Sequence, residues 1–139
     1  MRVEFEKGPL SASEQALVSE GFRAQSAENN SPVYRKEQVK WLRFDERDSL
    51  CGALAADILW DWIYVDERCV ATESRRKGIG RQLMQCAEQF ACSQGLQGIW
   101  LWTQSWQAED FYRRLGYREF TRFDNFPAGH ARIGFRKTL

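Results

Sequence analysis

The residues best suited to chemistry are Arg75-Arg76-Lys77-Gly78-Ile79-Gly80-Arg81, four basic side chains around two glycines one residue apart. They lie between a strand-like run ending at Val70 and a long amphipathic stretch. Glycines at this spacing let the backbone turn tightly and approach a ligand. A helix that starts there directs unpaired N–H groups and the positive end of its dipole outward. That arrangement binds phosphate, and four cations suit an anion with more than one phosphate. Solvated basic runs and ligand-free glycine turns are also common, so the segment needs a second signal. Two nucleotide motifs are excluded by spacing. A dinucleotide fingerprint needs glycine at position 83, where Leu83 stands, and a P-loop needs Gly-Lys-Ser/Thr, which is absent.

Composition narrows the class. The 139 residues are read as one domain, 1–139, able to bury roughly two thirds of its unfolded surface in one core. Twenty Lys plus Arg stand against 19 Asp plus Glu, which argues against a nucleic-acid partner held by a global field. Cys51, Cys69, Cys86 and Cys92 never fall at CxxC spacing and read as small buried hydrophobes, so no zinc or thioredoxin motif is expected. A single histidine, His130, excludes multi-histidine metal sites. No apolar run reaches membrane-spanning length, and the expectation is a reduced, cytoplasmic protein without metal or membrane partner.

The elements that must position the glycine turn follow from periodicity. Ser11-Ala12-Ser13-Glu14 resembles a capping box opening a helix through Leu17, Val18 and Phe22. Strands are expected over Gln38–Phe44, Ser49–Ile58 and about Trp60–Val70, the first two joined by the polar turn Asp45–Asp48. After the glycine turn, Ile79, Leu83, Cys86, Ala87 and Phe90 mark a helix ending near Gly95. Gly98–Thr103 reads as a strand. Ala108, Phe111, Tyr112 and Leu115 mark a short helix ended by Gly116, and Arg118–Phe123 and Ala131–Lys137 read as a final strand pair.

Val70, then Arg75-x-x-Gly78-x-Gly80 opening a helix, then a strand, then Ala108-x-x-Phe111-Tyr112-x-x-x-Gly116-Tyr117, resembles the GNAT superfamily of acyl-CoA-dependent N-acyltransferases. The match is strong from about Trp60 to Tyr117. It implies an α/β (α+β) fold, a mixed, mostly antiparallel sheet of six to seven strands with helices on both faces, splayed at the cofactor site. It implies acetyl-CoA as co-substrate and direct transfer of acetyl to a primary amine of a small molecule or peptide, in a ternary complex. Coenzyme contacts then fall on Cys69, Val70, Arg75, Arg76, Lys77, Gly78, Ile79, Gly80, Arg81, Ser105, Ala108, Phe111 and Tyr112. Ser105 replaces the asparagine common in the family, and its hydroxyl can still hydrogen-bond or cap a helix.

Three residues take reaction roles by resemblance. Val70 offers its backbone N–H to the acyl carbonyl. Tyr112 returns a proton to the leaving thiolate, the reference pKa values of ~10 and ~8.5 being close enough for the transfer. Glu67, three positions before Val70, is the candidate base, and strand alternation sets it on the face opposite Asp66. Trp60, Trp62, Trp100, Trp102 and Trp106 are expected to pack the sheet against helices, or to wall an amine site. The Phe22–Lys40 and Asp124–His130 regions are where the acceptor is expected to be chosen, with His130 a substrate-side candidate. A homodimer is a family-based expectation. The alternative of a different class is a non-catalytic acyl-CoA sensor or interaction module using the same cradle.

Overall fold

Two tight turns cut the stretch from 36 to 70 into three strands. A computed structural model, which describes all 139 residues, shows them as a meander: β1 Lys36–Phe44, β2 Leu50–Leu59 and β3 Trp62–Val70. Asp45 makes the first turn. Its carboxylate accepts the N–H groups of Arg47 at 2.8 Å and Ser49 at 2.9 Å, while Asp48 takes the left-handed region at φ 61°. The second is the two-residue turn Trp60-Asp61, with Trp60 at φ 52°. Trp60 is therefore a turn residue and not, as expected, a strand partner of Trp62.

The remaining elements are α1 Ala12–Glu28, α2 Ile79–Ser93, β4 Gly98–Gln104, α3 Glu109–Arg114, β5 Arg118–Asp124 and β6 Ala131–Thr138. Contacts separate the chain into two units, Met1–Tyr34 and Arg35–Leu139. In the first, α1 opens on the capping box read from the sequence: Ser11 Oγ accepts the Glu14 N–H and the Glu14 carboxylate accepts the Ser11 N–H. No helix is long and apolar enough to cross a membrane.

The second unit holds one sheet in the order β1-β2-β3-β4-β6-β5. Every neighbouring pair is antiparallel except β3 and β4, whose parallel pairing covers only Trp62–Val65 against Gly98–Leu101. The parallel pair needs a crossover, which α2 supplies. Beyond Val65 and Leu101 the two strands part, β3 staying with β2 and β4 with β6. The sheet is therefore splayed at the end where β3 runs into the glycine turn.

Strand alternation and helical periodicity meet on one face. Leu54, Ala56 and Ile58 of β2, Ile63 and Val65 of β3 and Ile99 and Leu101 of β4 bury against Ile79, Leu83, Met84, Ala87 and Ala91 of α2, and Ile133 and Phe135 of β6 join the same core, where Phe135 meets the Tyr112 ring. Each large aliphatic side chain so buried contributes about 1.5–3 kcal/mol. Gly52 of β2 lets α2 come close, since a Cβ there would lie 2.7 Å from Ile79.

Trp62, Trp100 and Trp102 take the other face, whereas Trp41 of β1 meets Phe90 of α2 edge-on. Tyr64 stacks on Trp100 with ring centroids 4.4 Å apart, Phe120 meets Trp100 and Trp102, and the Arg132 guanidinium lies 4.7 Å over Trp102. The α2 side of β4 is already filled by Ile99, Leu101 and Thr103, so Trp100 and Trp102 point away from that helix. The cysteines also depart from expectation. Cys51 is buried, whereas Cys69, Cys86 and Cys92 are exposed, the latter two because they fall outside the buried stripe of α2.

Tyr117 is buried behind α3, where its hydroxyl donates to Glu88 at 3.0 Å, and Lys137 donates to the same carboxylate at 3.1 Å and to the Leu115 carbonyl at 2.8 Å. Burial, reinforced by the Glu88 charge, pushes the Tyr117 phenol well above its ordinary range. The folded state thus keeps this proton while the unfolded chain releases it as pH climbs past ~10. The contribution to stability is complete below that point and is lost above it. Thermal melts are expected to fall more steeply between about pH 10 and 11 for the parent than for Tyr117→Phe. A second test concerns Gly98, where a Cβ would strike the Lys137 carbonyl and the Trp62 ring. Gly98→Ala is expected to cost about 2 kcal/mol in chemical denaturation, and an unchanged midpoint would contradict this close approach.

Candidate active site

An extra residue in β3 sets the site. Val65 faces Ala56 and Glu67 faces Ala55, so Asp66 is a bulge with no partner of its own in β2. Up to Val65 the inward residues of β3 are odd-numbered, and after the bulge they are Arg68 and Val70. Alternation therefore fails where the sequence reading relied on it. Glu67 sits opposite Ala55 and so shares its face, the face that also carries Asp57, and Asp66 acts on Tyr64 from that side. Both carboxylates are exposed, on one side rather than on two. Burial, then the nearby Asp66 charge, raises the Tyr64 phenol above its usual range, with Arg132 opposing and Asp57 adding.

The last residue of β3 is open toward the splay. Ala71 donates its N–H to Cys51 at 2.9 Å, which makes the Gly52–Val70 pair one of the pairs that exchange no hydrogen bonds. The N–H of Val70 consequently points away from β2, to the side that β4 has left. Its carbonyl, pointing the same way, accepts from Arg75 Nε at 3.4 Å. Cys69 is exposed beside it.

The glycine turn follows through a single 3₁₀ turn at Thr72–Ser74. Arg76 takes φ 64° and Gly78 φ 76°, two left-handed residues around Lys77. Such conformations suit glycine, whereas an arginine there carries roughly 1–2 kcal/mol of backbone strain. Gly78 caps α2 without a side chain, and the first intrahelical bond runs from the Gln82 N–H to the Gly78 carbonyl at 3.0 Å. The earlier N–H groups, through Ile79, Gly80 and Arg81, are left without intrahelical partners, and the first turn contains no acidic residue to occupy them. Arg75, Arg76, Lys77 and Arg81 surround them, all exposed. These are the N–H groups and cations on which the sequence reading placed an anion.

Facing it across the splay, Ala108 starts α3 without a side-chain cap and Tyr112 is 5% exposed. The Phe111 ring reaches Gly80, where a Cβ would lie 3.5 Å from it. Between the two sits Arg68, a residue that the sequence pattern did not single out. Its Nε donates to the Tyr112 hydroxyl at 3.2 Å, and its guanidinium lies 4.3 Å over the Phe111 ring and 5.5 Å from that of Tyr112. The missed signal was the bulge, which turns an arginine inward at a position that simple alternation leaves outside.

Ser105 does not cap α3. Its hydroxyl accepts the Ala131 N–H at 3.0 Å and its own N–H donates to the Ala131 carbonyl at 2.8 Å, extending the β4–β6 pairing by one residue. This anchors the 124–130 loop beside the splay. In that loop His130 packs edge-on against Trp106, with ring centroids 4.8 Å apart. A cavity of about 350 Å³ opens beside Ala55, Asp57 and Asp66, and one of about 340 Å³ beside Trp62, Trp100 and Phe120 lies at the far end of β3. No group of His, Cys, Asp and Glu is placed to hold a metal ion.

With this geometry in view, residues 10–117 match the acetyltransferase (GNAT) family. The chain belongs to that family. Over 85 residues it is 35% identical to the blasticidin-S acetyltransferase of Streptomyces morookaense, a match spanning 60% of this chain and 62% of that relative. An acetyltransferase crystal structure from Bacillus cereus ATCC 14579 superposes with a TM-score of 0.83 at 25% identity, covering 99% of this chain and 98% of the other. An aminoglycoside 6'-N-acetyltransferase complexed with coenzyme A shares the fold, with a TM-score of 0.66 at 18% identity and 92% of each chain covered.

The strained Arg76 separates two effects. Arg76→Gly removes the left-handed penalty and one cation together, so it is expected to raise stability by up to ~1 kcal/mol while weakening acetyl-CoA binding several-fold. Thermal melts and calorimetric titration read the two independently. A variant that binds as tightly as the parent would take Arg76 out of the phosphate site.

Proposed function

We propose that the protein is an N-acetyltransferase that moves acetyl from acetyl-CoA to a primary amine of a small molecule. The single observation that carries this reading is the splay. Around it lie the open backbone N–H of Val70, the uncapped start of α2 ringed by four cations, and the Tyr112 hydroxyl. The family's coenzyme fits the residues present: N–H groups from Arg76 to Arg81 would hold the pyrophosphate, with Arg75, Arg76, Lys77 and Arg81 adding charge. Cys69 and Val70 would line the acyl end, and Ser105, Ala108, Phe111 and Tyr112 the opposite wall.

In this reading the Val70 N–H polarises the acyl carbonyl and stabilises the negative charge that develops on its oxygen. Tyr112 gives its proton to the departing thiolate. Glu67 accepts a proton from the attacking amine, directly or through water. The neighbouring carboxylates Asp57 and Asp66 offer partners for an ammonium substrate before it is deprotonated. Trp106 and His130, held beside the splay by the Ser105–Ala131 pairing, offer an aromatic corner to the acceptor. The blasticidin-S acetyltransferase relative supports a small-molecule acceptor over a peptide, and a cytoplasmic setting would supply both substrates.

Thiol release from acetyl-CoA, measured against primary amines from polyamines and antibiotics to peptide N-termini, tests the reading. Turnover is expected with at least one small amine, and Tyr112→Phe is expected to lower kcat by about 10²-fold with little change in acetyl-CoA KM. Tight acetyl-CoA binding with no thiol release from any amine would favour the non-catalytic sensor instead.

A further inference from the structure

We propose that Arg68 is the positioning residue for Tyr112, fixing the direction in which its hydroxyl proton points. The proposal rests on the proton-donor reading of Tyr112 given above. A guanidinium has donors and no acceptor, so in the 3.2 Å bond from Arg68 Nε the Tyr112 oxygen must be the acceptor. One lone pair of the phenol is thereby occupied and its O–H is turned away from Arg68. The ring cannot move to compensate. Phe111, Tyr117 and Phe135 pack around it with centroids 5.1, 5.9 and 6.1 Å away, and the residue is 5% exposed. Only the hydroxyl torsion is free, and Arg68 sets it.

Arg68 is itself held and otherwise uncommitted. Its guanidinium lies on the Phe111 ring and against Gly80, which has room for it because it lacks a Cβ, and no carboxylate is bonded to it. Its charge therefore remains uncompensated beside the phenol. In the transfer step the phenol O–H bond breaks, its electron pair stays on oxygen, and an S–H bond forms on the thiolate. The phenolate oxygen left behind keeps accepting the Arg68 Nε–H until water returns its proton.

The test is a double-mutant cycle of Arg68→Met and Tyr112→Phe on kcat, with acetyl-CoA affinity and thermal melts measured on each protein. Arg68→Met, similar in length and apolar against Phe111, is expected to lower kcat about tenfold while acetyl-CoA affinity stays within about threefold. In the Tyr112→Phe background the same change is expected to have no further effect on kcat, since its target hydroxyl is gone. Multiplicative losses, or an Arg68→Met kcat equal to that of the parent, would overturn the positioning role while leaving Tyr112 as donor. An unchanged kcat in Tyr112→Phe alone would overturn both. If the methionine variant does not fold, Arg68→Lys enters the same cycle with the same criterion of non-additivity.

Discussion

The parting of β3 from β4 is the constraint on which the rest of this molecule depends. Two parallel strands that stayed paired would satisfy each other's backbone groups and leave nothing for a ligand. Here the pairing lasts four residues, and the Asp66 bulge coincides with its end. Beyond that point the backbone of β3 pairs on one side only. The open N–H of Val70 is thus a consequence of topology and not of any particular side chain.

The same bulge sorts charge. It turns Arg68 toward α2 and α3 while Asp66 and Glu67 share the other face with Asp57. Cations surround the helix start, and Asp57, Asp66 and Glu67 gather on the opposite face beside Lys40 and Arg132.

Rigidity comes from the apolar face. The side chains of β2, β3 and β4 close against one stripe of α2, and Tyr117, Glu88 and Lys137 lock α2 to the segment after α3 and to β6. The strained pair of left-handed residues at Arg76 and Gly78 is carried on this base. A turn held between a strand and a well-packed helix can keep a costly backbone shape that an isolated loop would relax.

Local signals determined much of this in advance. The capping box at Ser11, the left-handed stops at Gly95 and Gly116, the α2 stripe, the last two strands and the glycine turn all follow from short-range stereochemistry, which a sequence displays directly. The two motifs and the single helix and strand between them also fixed the family. What the chain alone concealed depends on pairing. A bulge exists only relative to a partner strand, so the shared face of Asp66 and Glu67 and the inward turn of Arg68 were not legible. Which face of β4 would meet α2 was equally undecided, and Trp100 and Trp102 went to the other side. Ser105 could have capped α3 and instead joined β6. The sequence determined which elements form and which chemistry they carry, because propensity and periodicity act locally. Tertiary structure alone decided which residues face the cleft, because sheet register is set between strands distant in the chain.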